Sequence, residues 1–368
     1  MRGLAAAITL FTSICSATSP PRLGASESNS WSLQQFKNFV VFGDSYSDEN
    51  RFAYFLTHNF TAPPTGTLFP ETLQAANGGR VWARYVVQYT DEALTLYNYA
   101  VDGATCSNDI VPFTFNGTSF KYPDIAGYEL PAFLADKAQD SNVATGQPYF
   151  QPALTEDNAV YTVWIGTNDL STGGFITDNQ APGITLSDFV DCVYTQIDRV
   201  YAAGGRYFVL FNITPLYLAP LFANATEGGE TPSEFWPDKP SNLTDLSERM
   251  KEYTKSLNTI FEYKTPVDVL IRNRYPGAKV ALFDVNKLYL DIHNDPASYL
   301  NGTAPANATE RSHQCNVQGT DCIDLPSPDS YQWYDVSHPS EQTSRIIAKN
   351  FVDVLGGHSE YATYYECQ

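Results

Sequence analysis

Five short runs of the chain are apolar almost without interruption, at residues 36–42, 94–100, 159–165, 207–213 and 279–283. Strands buried on both faces of a parallel sheet read this way, whereas a strand with one wet face alternates. Between the runs lie segments with helical spacing, over 48–58, 81–89, 129–140, 186–203 and 243–274. A last helix is expected over 340–355, opening after Pro339 and carrying Ile346, Ile347, Phe351 and Val354 at helical intervals. Strand and helix in alternation predict an α/β fold, with a parallel sheet of about five strands between two layers of helices. No internal repeat or low-complexity linker breaks the pattern, so residues 31–368 are expected to form one domain. Long loop insertions are expected at 106–128, 214–242 and 292–334, rich in Pro, Gly, Asn and Thr. Such loops either shape a cleft or decorate a surface.

The N-terminus does not fit that pattern. Arg2 precedes an apolar stretch from Leu4 to Cys15, and Cys15, Ser16 and Ala17 offer small residues for cleavage. The stretch is short for a membrane span, so residues 1–17 are expected to be a signal peptide and 18–30 a flexible mature N-terminus. Sequons at Asn59, Asn116, Asn224, Asn242, Asn301 and Asn307 fit a secreted glycoprotein, with Asn212 a poorer acceptor inside a strand-like run. Cys315 and Cys322 flank a turn-like segment and are expected to form a disulfide. Removal of Cys15 would leave an odd count, so one thiol among Cys106, Cys192 and Cys367 is expected to be free and buried.

Charge narrows the partners. Only 17% of residues are charged, yet the net charge is −19. A surface this acidic repels nucleic acid and anionic membranes, which leaves a neutral substrate and a monomer as the expectation.

In an open α/β sheet, reactive groups gather at the carboxyl ends of the strands. Those ends carry Gly43-Asp44-Ser45, Asp102-Gly103-Ala104 and Gly166-Thr167-Asn168-Asp169, and Asp335-Val336-Ser337-His338-Pro339 stands before the final helix. Together they fit acyl transfer. Ser45 would be the nucleophile, His338 its base, and Asp335 the group that orients the imidazole. The backbone N–H groups of Ser45 and Gly103, with the amide of Asn168, would form an oxyanion hole, each donor worth roughly 3–4 kcal/mol in the transition state. Ser45 alone reads almost as well as a helix cap; only the company of the other three blocks makes it a nucleophile. Asp44 and Asp169 read better as structural acceptors. Trp333, Tyr334 and Trp236 are candidate walls for a sugar ring, while Trp164 reads as core. His58, His293, His313 and His358 have no chemical context, and no metal-ligand spacing, Gly-x-Ser-x-Gly elbow or nucleotide fingerprint occurs, so neither metal nor cofactor is expected.

The four blocks, in this order, resemble the GDSL or SGNH hydrolases, although Tyr46 stands where the family name has leucine. The resemblance implies a three-layer, flavodoxin-like fold and an ester-hydrolysing serine. Residues 43–51 and 331–339 are most similar to secreted fungal acetylesterases of carbohydrate esterase family 16, which implies removal of acetyl groups from sugars such as xylo-oligosaccharides. The alternatives are a lipase or phospholipase of the same superfamily, and a catalytically idle carbohydrate-binding protein.

Overall fold

The computed structural model describes residues 15–16, 30–115, 118–139, 148–230 and 232–367. The signal-peptide expectation lies almost wholly outside these residues, as does Asn116. The strands are β1 (Cys15–Ser16), β2 (Asn38–Gly43), β3 (Thr95–Asn98), β4 (Ala159–Trp164), β5 (Tyr207–Phe211), β6 (Lys279–Phe283), β7 (Asn307–Arg311), β8 (His313–Cys315), β9 (Cys322–Asp324), β10 (Tyr331–Trp333) and β11 (Ala362–Cys367). The helices are α1 (Arg51–Thr57), α2 (Trp82–Tyr89), α3 (Leu130–Ala138), α4 (Thr167–Leu170), α5 (Leu186–Ala202), α6 (Leu243–Pro266), α7 (Val285–Asn294), α8 (Pro296–Tyr299) and α9 (Glu341–Leu355).

The five apolar runs become β2 to β6. They pair in parallel in the order β6-β5-β4-β2-β3, so the chain starts in the middle, steps to one edge and then builds outward the other way. That is the flavodoxin-like order, with its switch point between β2 and β4. The sheet has seven strands, not about five: β11 joins β6 in antiparallel pairing, and β1 joins β11. The sequence of β11 is rich in tyrosine rather than continuously aliphatic, which hid it among the loops.

Alternate residues of each strand serve the two helical layers. On one face, Phe39, Phe211 and Phe283 meet Phe351 of α9, and Trp82 of α2 contacts Phe39, Trp164 and Phe211. On the other, Phe42, Tyr99 and Tyr161 surround Phe133 of α3. Trp164 is core, as expected. The helix expected over 243–274 is α-helical only to Pro266 and closes with a π-turn over Val267–Ile271. The connection after residue 292 is not a plain loop. It holds α8 and two small sheets, β7 with β10 and β8 with β9.

The disulfide Cys315–Cys322 is present and joins β8 to β9. Cys106 pairs with Cys192 of α5, so neither is the expected free thiol; of the three candidates Cys367 is left, and its side chain lies outside the described residues. Proximity along the chain pointed to the first bridge, whereas the second spans 86 residues and only the fold brings its halves together. No helix among the described residues is long and apolar enough to cross a membrane.

Candidate active site

The end of β2 is pulled tight against its neighbour. A Cβ on Gly43 would lie 2.4 Å from the Trp164 carbonyl oxygen of β4, so no side chain fits there. The chain then turns sharply, with the N–H groups of Ser47 and Asp48 donating to the Asp44 carbonyl. Ser45 rides on this turn, six residues before α1, and is therefore not its cap. The Asp44 carboxylate accepts the Tyr46 N–H at 3.0 Å, the structural role expected of it.

Asp48 does more than the sequence suggested. Its Oδ1 accepts the N–H groups of Asn50 and Arg51, and its Oδ2 those of Phe52 and Asp102. One carboxylate thus caps α1 and ties the Ser45 turn to the loop bearing Gly103. Two further groups support the turn. Glu129, buried, accepts the Gly43 N–H at 3.0 Å, and burial holds its carboxyl well above the usual range. The Tyr46 hydroxyl donates to the Ser337 carbonyl at 2.7 Å and so tethers the nucleophile's turn to the loop carrying His338. An Asp at the start of a helical run was a legible capping signal for Asp48; nothing in the sequence marked Glu129, and Tyr46 was marked only as standing where the family name has leucine.

The last block folds onto itself. Trp333 bridges to Pro339, the Tyr334 N–H donates to the His338 carbonyl, and Asp335 Oδ1 accepts the N–H groups of Ser337 and His338 at 2.8 and 2.7 Å. Spacing of three therefore places carboxylate and imidazole on one tight loop. Asp335 Oδ2 lies 2.8 Å from His338 Nδ1, and His338 Nε2 lies 2.9 Å from Ser45 Oγ, across 293 positions of sequence. With the proton on Nδ1 held by Asp335, Nε2 is free to accept from the serine; this tautomer is assigned from the hydrogen-bond pattern.

Electrostatics follow from burial. Burial alone would lower the His338 pKa, but the negative fields of Asp335, Asp102 and Asp44 raise it to about 9. Burial would raise Asp335, yet the charge of His338 and three hydrogen bonds hold it below its ordinary value. Burial pushes Asp44 up to about 7, Asp102 to about 6 and Asp169 to about 8.

Gly103 has φ +80, in the left-handed region, and a Cβ there would lie 2.1 Å from the Tyr122 ring, so glycine is required twice over. Asn168 lies in the first turn of α4 and donates from Nδ2 to the Ala104 carbonyl at 2.9 Å, which binds the second and third blocks together. Asp169 is buried and accepts the Cys106 N–H, the structural role expected of it.

The aromatic candidates divide. Trp333 is fully buried, its indole N–H donating to the Ala308 carbonyl, and Trp236 is buried against Phe222, so neither is a cleft wall. Both sit in or beside strand-like turns where the indole is the local anchor. Tyr334 is half-buried, stacked on His313 at 4.9 Å and pressed by Gly78. Phe235, unremarked in the sequence, stands exposed beside His338. His313, Cys315 and Cys322 place donor atoms within 4.8 Å of one another, but both sulfurs are already joined in the disulfide. Asn59, Asn242 and Asn301 are exposed, whereas Asn212 is buried and its amide donates to Asp284.

A serine at the carboxyl edge of a parallel sheet, hydrogen-bonded to a histidine that an aspartate holds, is the arrangement of a serine hydrolase, and the chain is a carboxylic ester hydrolase. It belongs to the GDSL-like lipase/acylhydrolase family, whose pattern its residues 39–351 match. It is 39% identical to an acetylesterase of Hypocrea jecorina over 90% of this chain and 92% of that one. An acetylesterase of Thermothelomyces thermophilus is 25% identical over 87% and 89% of the two chains. Among solved structures, an acetylxylan esterase from Geobacillus stearothermophilus covers 88% of this chain and 96% of its own at TM-score 0.39 and 13% identity.

Proposed function

We propose that the chain is a secreted acetylesterase that removes acetyl groups from acetylated carbohydrates such as xylo-oligosaccharides. The observation that carries the chemistry is the unbroken line Asp335–His338–Ser45, with contacts of 2.8 and 2.9 Å. Ser45 Oγ attacks the ester carbonyl as His338 Nε2 takes its proton. The carbonyl oxygen, now negative, is met by the N–H groups of Ser45 and Gly103 and by the remaining amide proton of Asn168. Collapse expels the alcohol, which His338 protonates. A water that His338 activates then releases acetate from acetyl-Ser45.

Acetyl rather than a long acyl chain is supported by the two acetylesterase relatives. Secretion is supported by the exposed sequons and by two disulfides, which persist in oxidising compartments. Hydrolysis of acetyl, butyryl and octanoyl esters of one alcohol, alongside an acetylated xylo-oligosaccharide, tests the proposal. Turnover should fall from acetyl to octanoyl and the oligosaccharide should lose acetate; a preference for octanoyl would make the protein a lipase.

A further inference from the structure

Acyl transfer fixes the side of Ser45 on which the departing alcohol must lie. The carbonyl oxygen turns towards Gly103 and Asn168, and the alcohol oxygen must come within reach of His338 Nε2, which protonates it as it leaves. A side chain standing in the open beside His338 therefore meets the alcohol half of the substrate. That side chain is Phe235, 45% exposed, with its ring centroid 5.8 Å from the imidazole in an edge-to-face arrangement. Of the exposed large aromatic residues Tyr89, Phe235 and Tyr263, it alone touches the Ser45–His338–Asp335 line among the described residues.

The exposure is built in. Ser233 and Trp236 exchange both backbone hydrogen bonds, at 3.3 and 3.0 Å, and close a turn with Glu234 and Phe235 at its tip. Ser233 is buried, and Trp236 anchors the turn by packing its ring against Phe222. The Lys239 ammonium fastens the far side by donating to the Glu230 carbonyl. Behind the tip, Gly319 of the β8–β9 hairpin approaches Glu234. A phenyl ring is thus held out in water by a turn whose next residue is the anchor, an arrangement that gives up apolar burial at a fixed point.

We propose that Phe235 is a specificity-determining platform for the ring of the departing alcohol, on which the apolar face of a sugar ring lies while its hydroxyls stay in water. The proposal rests on the carbohydrate reading above. A rival role, shielding His338 from water, would act on every ester alike. Hydrolysis of acetylated xylobiose, cyclohexyl acetate and ethyl acetate by the wild type, F235A and F235Y separates the two. F235A should lose roughly tenfold or more in kcat/KM on both ring alcohols, carried by KM, with the loss on ethyl acetate at least about fivefold smaller. F235Y should recover most of the loss. Equal losses on all three esters, or none on the ring alcohols, would overturn the platform. Failure of the wild type on acetylated xylobiose would instead remove the carbohydrate reading, and the cyclohexyl and ethyl esters would still decide the role of Phe235.

Discussion

At the scale of single residues, the site is a balance of fields around His338. Asp335 is hydrogen-bonded to the imidazole, while Asp102 and Asp44 act on it through space, and together they raise its pKa to about 9 against the pull of burial. The base must be neutral to take the serine's proton, so kcat/KM should rise with pH along a limb set by His338 and lying above its ordinary 6.5. Asp102, with its own pKa raised to about 6 by burial, is charged over that limb. Substituting Asp102 with Asn removes one negative field, so the limb should move to lower pH; a limb that stays in place in a pH–rate profile would count against this account. The residues of the Ser45–His338–Asp335 line were legible in the sequence because each block is local, a few residues at a strand end. The supports were not. Asp48 reaches across to Asp102, Glu129 to Gly43 and Tyr46 to Ser337, and such partners are joined only by the fold. The two tryptophans among the sugar-wall candidates turned inward for a related reason: composition marks a tryptophan, but whether its ring faces the core or the cleft depends on the turn that carries it. Trp236 and Phe235 are neighbours in sequence and opposites in burial.

At the scale of elements, continuous apolarity was a sufficient signal for β2 to β6, since a strand covered on both faces has no polar side to show. The positions of α1, α2, α3, α5, α6 and α9 were legible and their ends were not, while α7 over Val285–Asn294 went unread. The first helix was expected from residue 48 but begins at Arg51, and the Asp48 carboxylate lies outside it as the acceptor of its leading N–H groups. Ser340, by contrast, caps α9 through Thr343 where the sequence placed the start. The strands of the long connection, β7 to β10, are three to five residues long and mostly polar, too short for a periodicity to register. They matter to function all the same, since β10 leads directly into the loop of Asp335 and His338.

At the scale of the molecule, one sheet end gathers an unusual load of buried acid. Asp44, Asp102, Asp169 and Glu129 all have carboxyls raised by burial, and His338 is raised as well. Between the ordinary carboxylate value and about pH 8, the folded protein therefore holds more protons than the unfolded chain. Stability must then fall as pH rises through that window. Asp335, lowered, contributes constantly above its unfolded value of 3.8 and does not reverse the trend. The net charge of −19 adds repulsion in the same direction. The melting temperature should accordingly be higher at about pH 5 than at about pH 8; the opposite order in calorimetry would mean that these carboxyls are ionised and compensated. The flavodoxin-like order explains why the acids collect: the switch point between β2 and β4 opens the crevice into which three of the four motif blocks project.

The proposed hydrolysis requires that Ser45 becomes acylated and that His338 drives the step. Rapid quenching of the enzyme during turnover of an aryl acetate, followed by peptide mass analysis, measures this directly. One acetyl group should appear on the peptide carrying Ser45, in step with a burst of released phenol, and should be lost on further incubation; H338A should show neither burst nor label. An acetyl group on another residue, or full turnover by S45A, would contradict the account.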